Sequence, residues 1–359
     1  MQYVERIHCM YSVYVIYKFN SPRYFQHSQA QYQQILDSLQ SLVSKFIYLL
    51  VKSPAKDATL RWIARCLDAN RNKAKLVASF VSAGSASDGF MLNLAGVLLK
   101  LSTPFLGPGN PKLSTVDVRF CGPDSASLLP QQTEDKVLDK LGDVDVTKED
   151  LLEFGKPDHF NFISTCFYLT HRALQLAYIS PFDKYRRLMK SLMETQRLVQ
   201  DVGNSPMSTE IREKFETQYI EQLEVKTHLL HPDTISHVLL FYSSSANWLS
   251  LISTSRDSVT VADMKATPSL TELPSRTLAM VPSYFISSAC QFFINVRYFA
   301  EGNLENFLSD NLDHVISFLV MYCNKTWVPN PHTRAEIVEA MTVFIPNERS
   351  KSTTPTANR

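Results

Sequence analysis

Glycine is scarce in this sequence, with only 10 glycines among 359 residues, far below the usual share of about 7%. β-Sandwiches and barrels reverse the chain often and use glycine at many of those turns. A large charge of one sign is also missing, because 36 basic residues face 35 acidic ones and the formal net charge is +1. The composition therefore favours helices, and we expect neither nucleic acid nor a membrane surface as a partner.

Clustered cysteines are missing as well. The six cysteines are spread along the chain and form no CxxC pair: Cys9, Cys66, Cys121, Cys166, Cys290 and Cys323. A disulfide framework or a structural zinc site would group them. We expect reduced cysteines that pack mostly in helix cores.

Long apolar runs of the membrane-spanning kind are not present. Thr234–Ser255 and Thr277–Val296 carry no Asp, Glu, Lys or Arg, yet both contain several serines and other polar residues. A span needs about 20 mainly apolar residues, so these runs predict buried helices. The first 19 residues are rich in tyrosine and show no small-residue cleavage site, so no secretory signal is predicted.

The common catalytic signatures are missing too: there is no P-loop, GxGxxG, GxSxG or HExxH pattern. Three histidines lie close in "HLLHPDTISH", at His228, His231 and His237. A zinc site is one interpretation, but Pro232 splits the segment, and a helix end with exposed histidines is preferred. We assign no catalytic, cofactor-binding or metal-binding residue and expect no cofactor.

Charged clusters give two further candidates. A local acidic run consists of Asp143, Asp145, Glu149, Asp150 and Glu153. Acid–base catalysis needs carboxylates held in a pocket, whereas this run surrounds a predicted helix start, where acids are stabilised by the helix dipole. A basic cluster consists of Arg186, Arg187 and Lys190 near a predicted helix start. It could dock an acidic partner, but plain helix surface is the preferred interpretation.

Two other candidates are weak. Cys166 and His171 could form a thiol–imidazole pair, but they are five residues apart on a predicted helix and Cys166 lies on an apolar stripe, so we expect an inert thiol. Asn324 fits the N-x-S/T glycosylation pattern, which is discounted without a secretory signal.

Helical periodicity dominates what is present. Gln29–Val51 has apolar residues at three- and four-residue steps, and a second helical segment runs from Pro54 to Asn70. In "SDGFMLNLAGVLLKLSTPFL", which begins with Ser87 and Asp88, apolar residues occupy the whole circumference of the predicted helix. A surface helix has a single apolar stripe, so this helix is predicted to have neighbours on most sides.

The middle of the chain is more varied. A proline-rich segment, about 107–132, predicts an irregular insertion in which Leu113–Phe120 is extended but unpaired. Thr133–Leu141 predicts a short helix with Thr133 as its N-cap. A strong helix with two apolar faces follows Asp158, and Pro181 is predicted to end it.

Six further helices are predicted, and no convincing strand alternation occurs anywhere. Their ranges are Tyr185–Val202, Thr209–His228, Thr234–Ile252, Val281–Phe299, Leu304–Met321 and Thr333–Ile345. Helices that alternate between doubly apolar and amphipathic are typical of stacked helix pairs. We therefore expect an all-α fold of helical repeats over 29–346, an irregular segment at 1–28 and a disordered tail at 347–359.

Four blocks resemble a known family in the right order. "SDGFMLNLAGVLLKLSTPFL" (Ser87–Leu106) and "DLLEFGKPDHFNFISTCFYLTHRALQLAY" (Asp150–Tyr178) resemble the core of the U-box ubiquitin conjugation factors, the so-called E-four class that elongates ubiquitin chains. Val281–Ala300 and Asn330–Pro346 resemble later blocks of that core more loosely. The resemblance covers nearly the whole chain, about Gln29–Pro346.

The resemblance implies an armadillo-like helical-repeat solenoid, an elongated superhelix. It implies the core scaffold of a ubiquitin-ubiquitin ligase that acts in protein polyubiquitination, proteasomal degradation and endoplasmic-reticulum-associated degradation, in the cytoplasm and nucleus. The implied partners are an AAA unfoldase, shuttle proteins with ubiquitin-like domains and ubiquitinated substrates, bound by a monomer. The family binds the conjugating enzyme through a C-terminal U-box, which is absent before Arg359, so we expect this chain alone to be inactive.

Two alternatives remain open at this stage. One is a stand-alone helical-repeat adaptor with no ubiquitin role, because long helical surfaces suit protein partners in general. The other is a helical enzyme whose polar site lies inside the stack and carries no recognisable motif.

Overall fold

The computed structural model describes residues 22–74, 85–107, 109–129, 136–141, 144–202, 208–255, 258–268 and 273–345. Within these ranges the only regular strands are β1 (Lys140–Leu141) and β2 (Val144–Asp145), which pair antiparallel with Leu141 opposite Val144. The rest of the regular structure is helical, which confirms the all-α prediction.

Ten α-helices are described in these ranges. They are α1 (Pro22–Lys52), α2 (Lys56–Ala69), α3 (Asp88–Ser102), α4 (Lys148–Leu152), α5 (Phe162–Val202), α6 (Ser208–Leu229), α7 (Pro232–Thr254), α8 (Tyr284–Phe299), α9 (Glu301–Tyr322) and α10 (Pro331–Val343). The chain folds into two compact units. Unit one consists of Met1–Lys100 and Leu176–Thr234, and unit two consists of Leu101–Gln175 and Ile235–Arg359.

Unit one is assembled around α1, which packs against α2 and α6. The inward face of α1 buries Ile47 and Val51. The amide of Gln40 donates to the backbone carbonyl of Asn93 at 3.2 Å and so joins α1 to α3. Helix α6 is held to α5 by side-chain amides, one of which, on Gln222, donates to the Tyr185 hydroxyl at 2.9 Å.

Helix α3 shows the burial that its sequence predicts. Eight of its apolar side chains are buried: Met91, Leu92, Leu94, Ala95, Val97, Leu98, Leu99 and Leu101. Phe90 is the exception and remains exposed. The hydroxyl of Ser87 accepts from the backbone N–H of Phe90 at 3.1 Å, which makes Ser87 the N-cap of this helix.

Unit two has an aromatic core supplied by α5, α7 and α8. Phe167 on α5 has its ring centroid 5.1 Å from that of Trp248 on α7 and 6.0 Å from that of Phe285 on α8. Helix α8 also packs against α9 and α10. The hydroxyl of Tyr322 on α9 donates to the Leu249 carbonyl at 3.1 Å, which links α9 to α7. These contacts bury the two uncharged runs that were predicted to be buried helices.

The predicted extended segment Leu113–Phe120 is wrong. Two 3₁₀ helices, Pro111–Thr115 and Val118–Cys121, occupy this part of the insertion. The side chain of Asn110 caps the first helix and that of Asp117 caps the second. These local side-chain hydrogen bonds compete with extended backbone, and the short helices bury several apolar side chains: Leu113, Val116, Val118 and Phe120.

The predicted short helix at Thr133–Leu141 is also wrong over its described residues, 136–141. The backbone N–H of Val137 donates to the Val281 carbonyl at 2.9 Å, and Leu141 belongs to β1. Val137 and Leu138 are both buried. Tertiary hydrogen bonds and burial therefore override a modest local helix propensity.

One predicted boundary of α5 is wrong. The helix does not end at Pro181 but continues to Val202, because packing of its buried face outweighs the lost backbone hydrogen bond and the steric cost of an internal proline. The helix follows Asp158 as predicted, and its N-terminus is capped by Asn161, whose side-chain oxygen accepts from the backbone N–H of Ser164 at 2.7 Å.

Helix α1 begins at Pro22, although an irregular segment was predicted as far as residue 28. Proline suits the first turn of a helix because its missing N–H has no intrahelical partner there. The rest of that segment, 1–21, and the predicted tail at 347–359 lie outside the described residues.

No helix among the described residues combines the length and the apolar character that crossing a bilayer requires.

Candidate functional site

Two of the three candidate histidines line one small cavity of about 40 Å³ in unit one. Nε2 of His231 lies 2.9 Å from Oδ1 of Asp37 on α1. His228 is half-buried on α6, and burial, together with the nearby His231, lowers its pKa to about 4. His237 lies on α7 and does not line this cavity. The histidines are thus more buried than expected, and Pro232 does split the segment, because α6 ends at Leu229 and α7 begins at Pro232.

We expect the half-buried His228 to make the stability of unit one depend on pH. Its pKa in the folded state is about 4, below the ordinary value of 6.5, so the unfolded chain binds a proton more readily. The contribution of neutral His228 to the free energy of unfolding is fully present above pH 6.5. As the pH falls toward 4, the free energy of unfolding decreases by about 1.4 kcal/mol per pH unit. Denaturant unfolding of the chain and of a His228→Gln variant across this range measures the difference.

The comparison with His228→Gln removes the contributions to the pH dependence that both proteins share. A His231→Gln variant serves as the matched control and should keep most of the pH dependence. Equal pH slopes for the chain and for His228→Gln would contradict the prediction.

The acidic run has structural roles. Asp150 and Thr147 form a capping box at the start of α4, and the hydrogen bonds from Thr147 lower the pKa of Asp150. Glu153 lies 3.2 Å from the guanidinium of Arg276. Asp145 is exposed in β2, and Asp143 lies outside the described residues. These positions agree with the preferred interpretation of a helix start with solvated acids.

The basic cluster lies inside α5, since that helix continues through Pro181. Arg186, Arg187 and Lys190 are all exposed, and Arg186 pairs with Asp183 one turn earlier at 3.2 Å. The cluster is helix surface that begins with a local ion pair.

Cys166 and His171 are both fully buried in α5. Nε2 of His171 lies 2.9 Å from the Ser245 hydroxyl, which donates to the carbonyl of Phe241, so Nε2 is the donor in this contact. The imidazole stacks on the Phe285 ring at 3.6 Å, and burial lowers its pKa well below the ordinary value. His171 is a neutral core histidine, and its hydrogen bond is with a serine rather than with a thiol.

Asn324 occupies an exposed turn. Its side-chain oxygen accepts from the backbone N–H of Thr326 at 2.9 Å, which is the hydrogen bond of an Asx turn. Among the described residues, no group of three or more His, Cys, Asp and Glu side chains is placed to hold a metal ion.

A different feature dominates the surface of unit one: an apolar stripe along α1 that faces solvent. We call it the α1 seam; it consists of Ile35, Leu39, Leu42, Phe46 and Leu49. Leu42 is 67% exposed and Phe46 is 61% exposed. Isolated exposed apolar residues are ordinary, but a continuous apolar patch marks an interaction surface.

The α1 seam follows the heptad spacing of a coiled coil. Its members alternate at steps of four and three residues, so Leu39 and Phe46 take a positions and the other three take d positions. Trp62, 48% exposed on the adjacent helix α2, adds a large aromatic side chain to the apolar surface of unit one.

The two flanks of the α1 seam differ. The e positions, Val43 and Leu50, are half-buried against unit one, whereas the g positions, Lys45 and Lys52, are exposed. No acidic residue occurs between Ser38 and Lys52. The open flank of the seam is therefore basic.

Sequence periodicity alone predicts helix α1 but not this surface. Apolar residues cover more than one face of α1 on a helical wheel, so the sequence does not show which of these faces is buried. The signal that could have identified the seam is the heptad spacing with lysine at successive g positions.

Comparison with known proteins gives a consistent result. The family described as "Ubiquitin elongating factor core" matches residues 6–358. "Ubiquitin conjugation factor E4 A" of Bos taurus is 27% identical over 344 residues, which cover 91% of this chain and 31% of the relative. "Probable ubiquitin conjugation factor E4" of Arabidopsis thaliana is 23% identical over 366 residues, which cover 89% of this chain and 34% of that relative.

The chain thus spans about a third of the length of the curated relatives it matches. The family match covers nearly the whole chain, includes all four blocks that carry the resemblance and agrees with the all-α fold. The chain belongs to the family of ubiquitin elongating factor cores.

Proposed function

We propose that this chain is the core scaffold of a ubiquitin-chain elongation factor. The single observation that carries the proposal is the family match over residues 6–358, and the relatives named ubiquitin conjugation factors support it. The factor would act as a ubiquitin-ubiquitin ligase in protein polyubiquitination, and its products would enter proteasomal degradation, including degradation associated with the endoplasmic reticulum.

The helix packing supports a scaffold role for the core. Successive helices pack as neighbours in α1–α2, α8–α9 and α9–α10, as they would in the armadillo-like helical repeats that we propose. Cys166 and His171 lie in the core, Asp150 belongs to a capping box, and Glu153 pairs with Arg276. A scaffold of this kind accelerates transfer by holding partners in a productive orientation, without forming a covalent bond itself.

The proposed partners follow from the family resemblance. They are an AAA unfoldase, shuttle proteins with ubiquitin-like domains and ubiquitinated substrates, with the conjugating enzyme bound through a U-box. We propose that the core acts as a monomer in the cytoplasm and nucleus.

A fusion experiment tests the scaffold role. We expect the chain fused upstream of a U-box to extend short ubiquitin chains on a substrate about tenfold or more faster than the U-box alone, because orientation is worth several kcal/mol. Gel assays with activating enzyme, conjugating enzyme and a ubiquitinated substrate measure the rates. A mixture of the unfused chain and the U-box is the matched control.

Two outcomes of this experiment would contradict the proposal. Equal rates for the fusion and for the U-box alone would remove the scaffold role. Extension by the chain with no U-box present would show a transfer activity that the proposal denies.

A stand-alone adaptor without a ubiquitin role is the second candidate. The exposed α1 seam favours a protein-binding role of either kind, since an apolar stripe of this length suits a partner helix. An adaptor would bind its partner through the seam and would leave the rate of the fusion unchanged.

A further inference from the structure

We propose that the α1 seam binds one amphipathic helix of a partner protein, whose apolar stripe is bordered by aspartate and glutamate. The inference goes beyond chain elongation and does not depend on it, since it names the chemistry of a ligand for a surface that the family assignment does not describe.

The geometry of the α1 seam favours a helix as its partner. Ile35, Leu42 and Leu49 are in line at d positions, and Leu39 and Phe46 alternate with them at a positions, all on the exposed side of one helix. Side chains at a and d are the knobs that enter the holes of a facing helix. A groove for an extended peptide or a small molecule would instead be concave.

Packed helices support the α1 seam from behind. The opposite face of α1 is packed on α2 and α6, and Ile47 and Val51 are buried there. Gln40 adds its hydrogen bond to Asn93 on α3. The seam is therefore presented by a helix that is already ordered, which reduces the entropy lost on binding.

The charges beside the α1 seam favour an acidic partner. Lys45 and Lys52 occupy successive g positions beside the seam, and no acidic residue lies between Ser38 and Lys52. In paired helices, g positions contact the flanking e or g positions of the partner. Carboxylates at those positions of the partner would meet both lysines, whereas lysines there would be repelled.

The same lysines disfavour a second copy of this chain as the occupant. In an antiparallel pair of α1 helices the g positions face each other, so lysine would meet lysine. In a parallel pair each g lysine would face an e position, where Val43 and Leu50 are already half-buried within unit one. Neither arrangement gives a favourable ionic contact.

Two designed peptides test the proposal on the full chain. Both are three-heptad helices with leucine at a and d; one carries glutamate at e and g, and the other carries lysine there. Fluorescence anisotropy of labelled peptide measures binding. We expect the glutamate peptide to bind at least about tenfold more tightly than the lysine peptide at low salt, and this ratio to shrink as salt screens the charges.

Three variants separate apolar from ionic recognition. Leu42→Glu should weaken binding of the glutamate peptide by about tenfold or more, because the substitution places a charge in the apolar contact. The double variant Lys45→Glu, Lys52→Glu should reverse the preference toward the lysine peptide. Val338→Glu, at an exposed apolar residue of α10, is the matched control and should change neither affinity. Circular dichroism melting checks that each variant remains folded.

Several outcomes would overturn the proposal. The chain could bind the two peptides with equal affinity, or bind neither of them. The double variant Lys45→Glu, Lys52→Glu could also leave the preference between the peptides unchanged. Concentration-dependent dimerisation in analytical ultracentrifugation that Leu42→Glu abolishes would identify a second copy as the occupant. Binding to phosphatidylserine vesicles that Leu42→Glu abolishes would identify a lipid surface. The ubiquitin fusion assay is separate, so failure here leaves the scaffold role standing.

Discussion

Replacing Trp248 with alanine is expected to lower the free energy of unfolding of unit two by about 3–5 kcal/mol. The indole is 0% exposed, and its ring centroid lies 5.1 Å from that of Phe167 and 6.4 Å from that of Tyr168. Truncation removes a large apolar side chain and leaves a cavity that the close-packed neighbours fill only in part. Denaturant unfolding followed by circular dichroism measures the loss.

Trp62→Ala is the matched control for this substitution. The same indole is removed, but Trp62 is 48% exposed on α2, so we expect a change of about 0.5 kcal/mol or less. Comparable losses at the two positions would show that the aromatic core does not carry the stability of unit two.

Asp88→Asn is expected to lower the free energy of unfolding of unit one by about 3 kcal/mol. The substitution leaves the buried ammonium group of Lys73 without a counter-charge. The side chain of Lys73 is 4% exposed, and its Nζ lies 2.7 Å from Oδ1 of Asp88. Lys184 pairs with the second carboxylate oxygen of Asp88 and is itself exposed. Chemical denaturation of the single variants measures the cost.

Two further variants isolate the buried partner. Lys184→Ala should lower the free energy of unfolding by about 1 kcal/mol or less, because an exposed ion pair contributes little to stability. Lys73→Met combined with Asp88→Asn should recover most of the loss, since the uncompensated charge is then gone. A single Asp88→Asn variant as stable as Lys184→Ala would contradict the assignment of Lys73 as the costly partner.

The sign of the pH dependence follows from the same ion pairs. Burial raises the pKa of Asp88, but the hydrogen bonds and charges of Lys184 and Lys73 outweigh this effect, and the pKa is lowered overall from its ordinary value of 3.8. A carboxyl with a lowered pKa stabilises the fold above its unfolded pKa. This contribution is lost as the pH falls below 3.8, a lower window than that of His228.

Local sequence was sufficient wherever burial covered a whole helix. The apolar circumference of α3 predicted the burial of most of its apolar side chains. Pro232 correctly marked the junction between α6 and α7. In these segments a local signal and the tertiary contacts favour the same structure, which is why the pattern was reliable.

Prediction failed where distant contacts decided the backbone. The backbone N–H of Val137 donates to the carbonyl of Val281, more than a hundred residues away, and bends and the short strand β1 replace the predicted helix there. Pro181 was predicted to end a helix that continues through it. No local window contains the partners that offset these local preferences.

Helix α1, which carries the candidate surface, was predictable from local sequence, but the face that it exposes was not. The periodicity of α1 made a helix predictable, but apolar residues occupy both its inward face, at Ile47 and Val51, and the exposed α1 seam. Only the positions of α2 and α6 decide which of the two faces is covered, since the hydrophobic effect depends on the area removed from water and has no preferred direction.

The sequence by itself determined the helical class, the junction at Pro232, the family and the burial of most apolar side chains of α3. The tertiary structure alone decided which face of α1 remains exposed, why α5 continues through Pro181 and where the buried Lys73 finds its counter-charge. The physical reason is that composition and periodicity record how much apolar surface each segment must bury, whereas the partner that buries it lies far away along the chain.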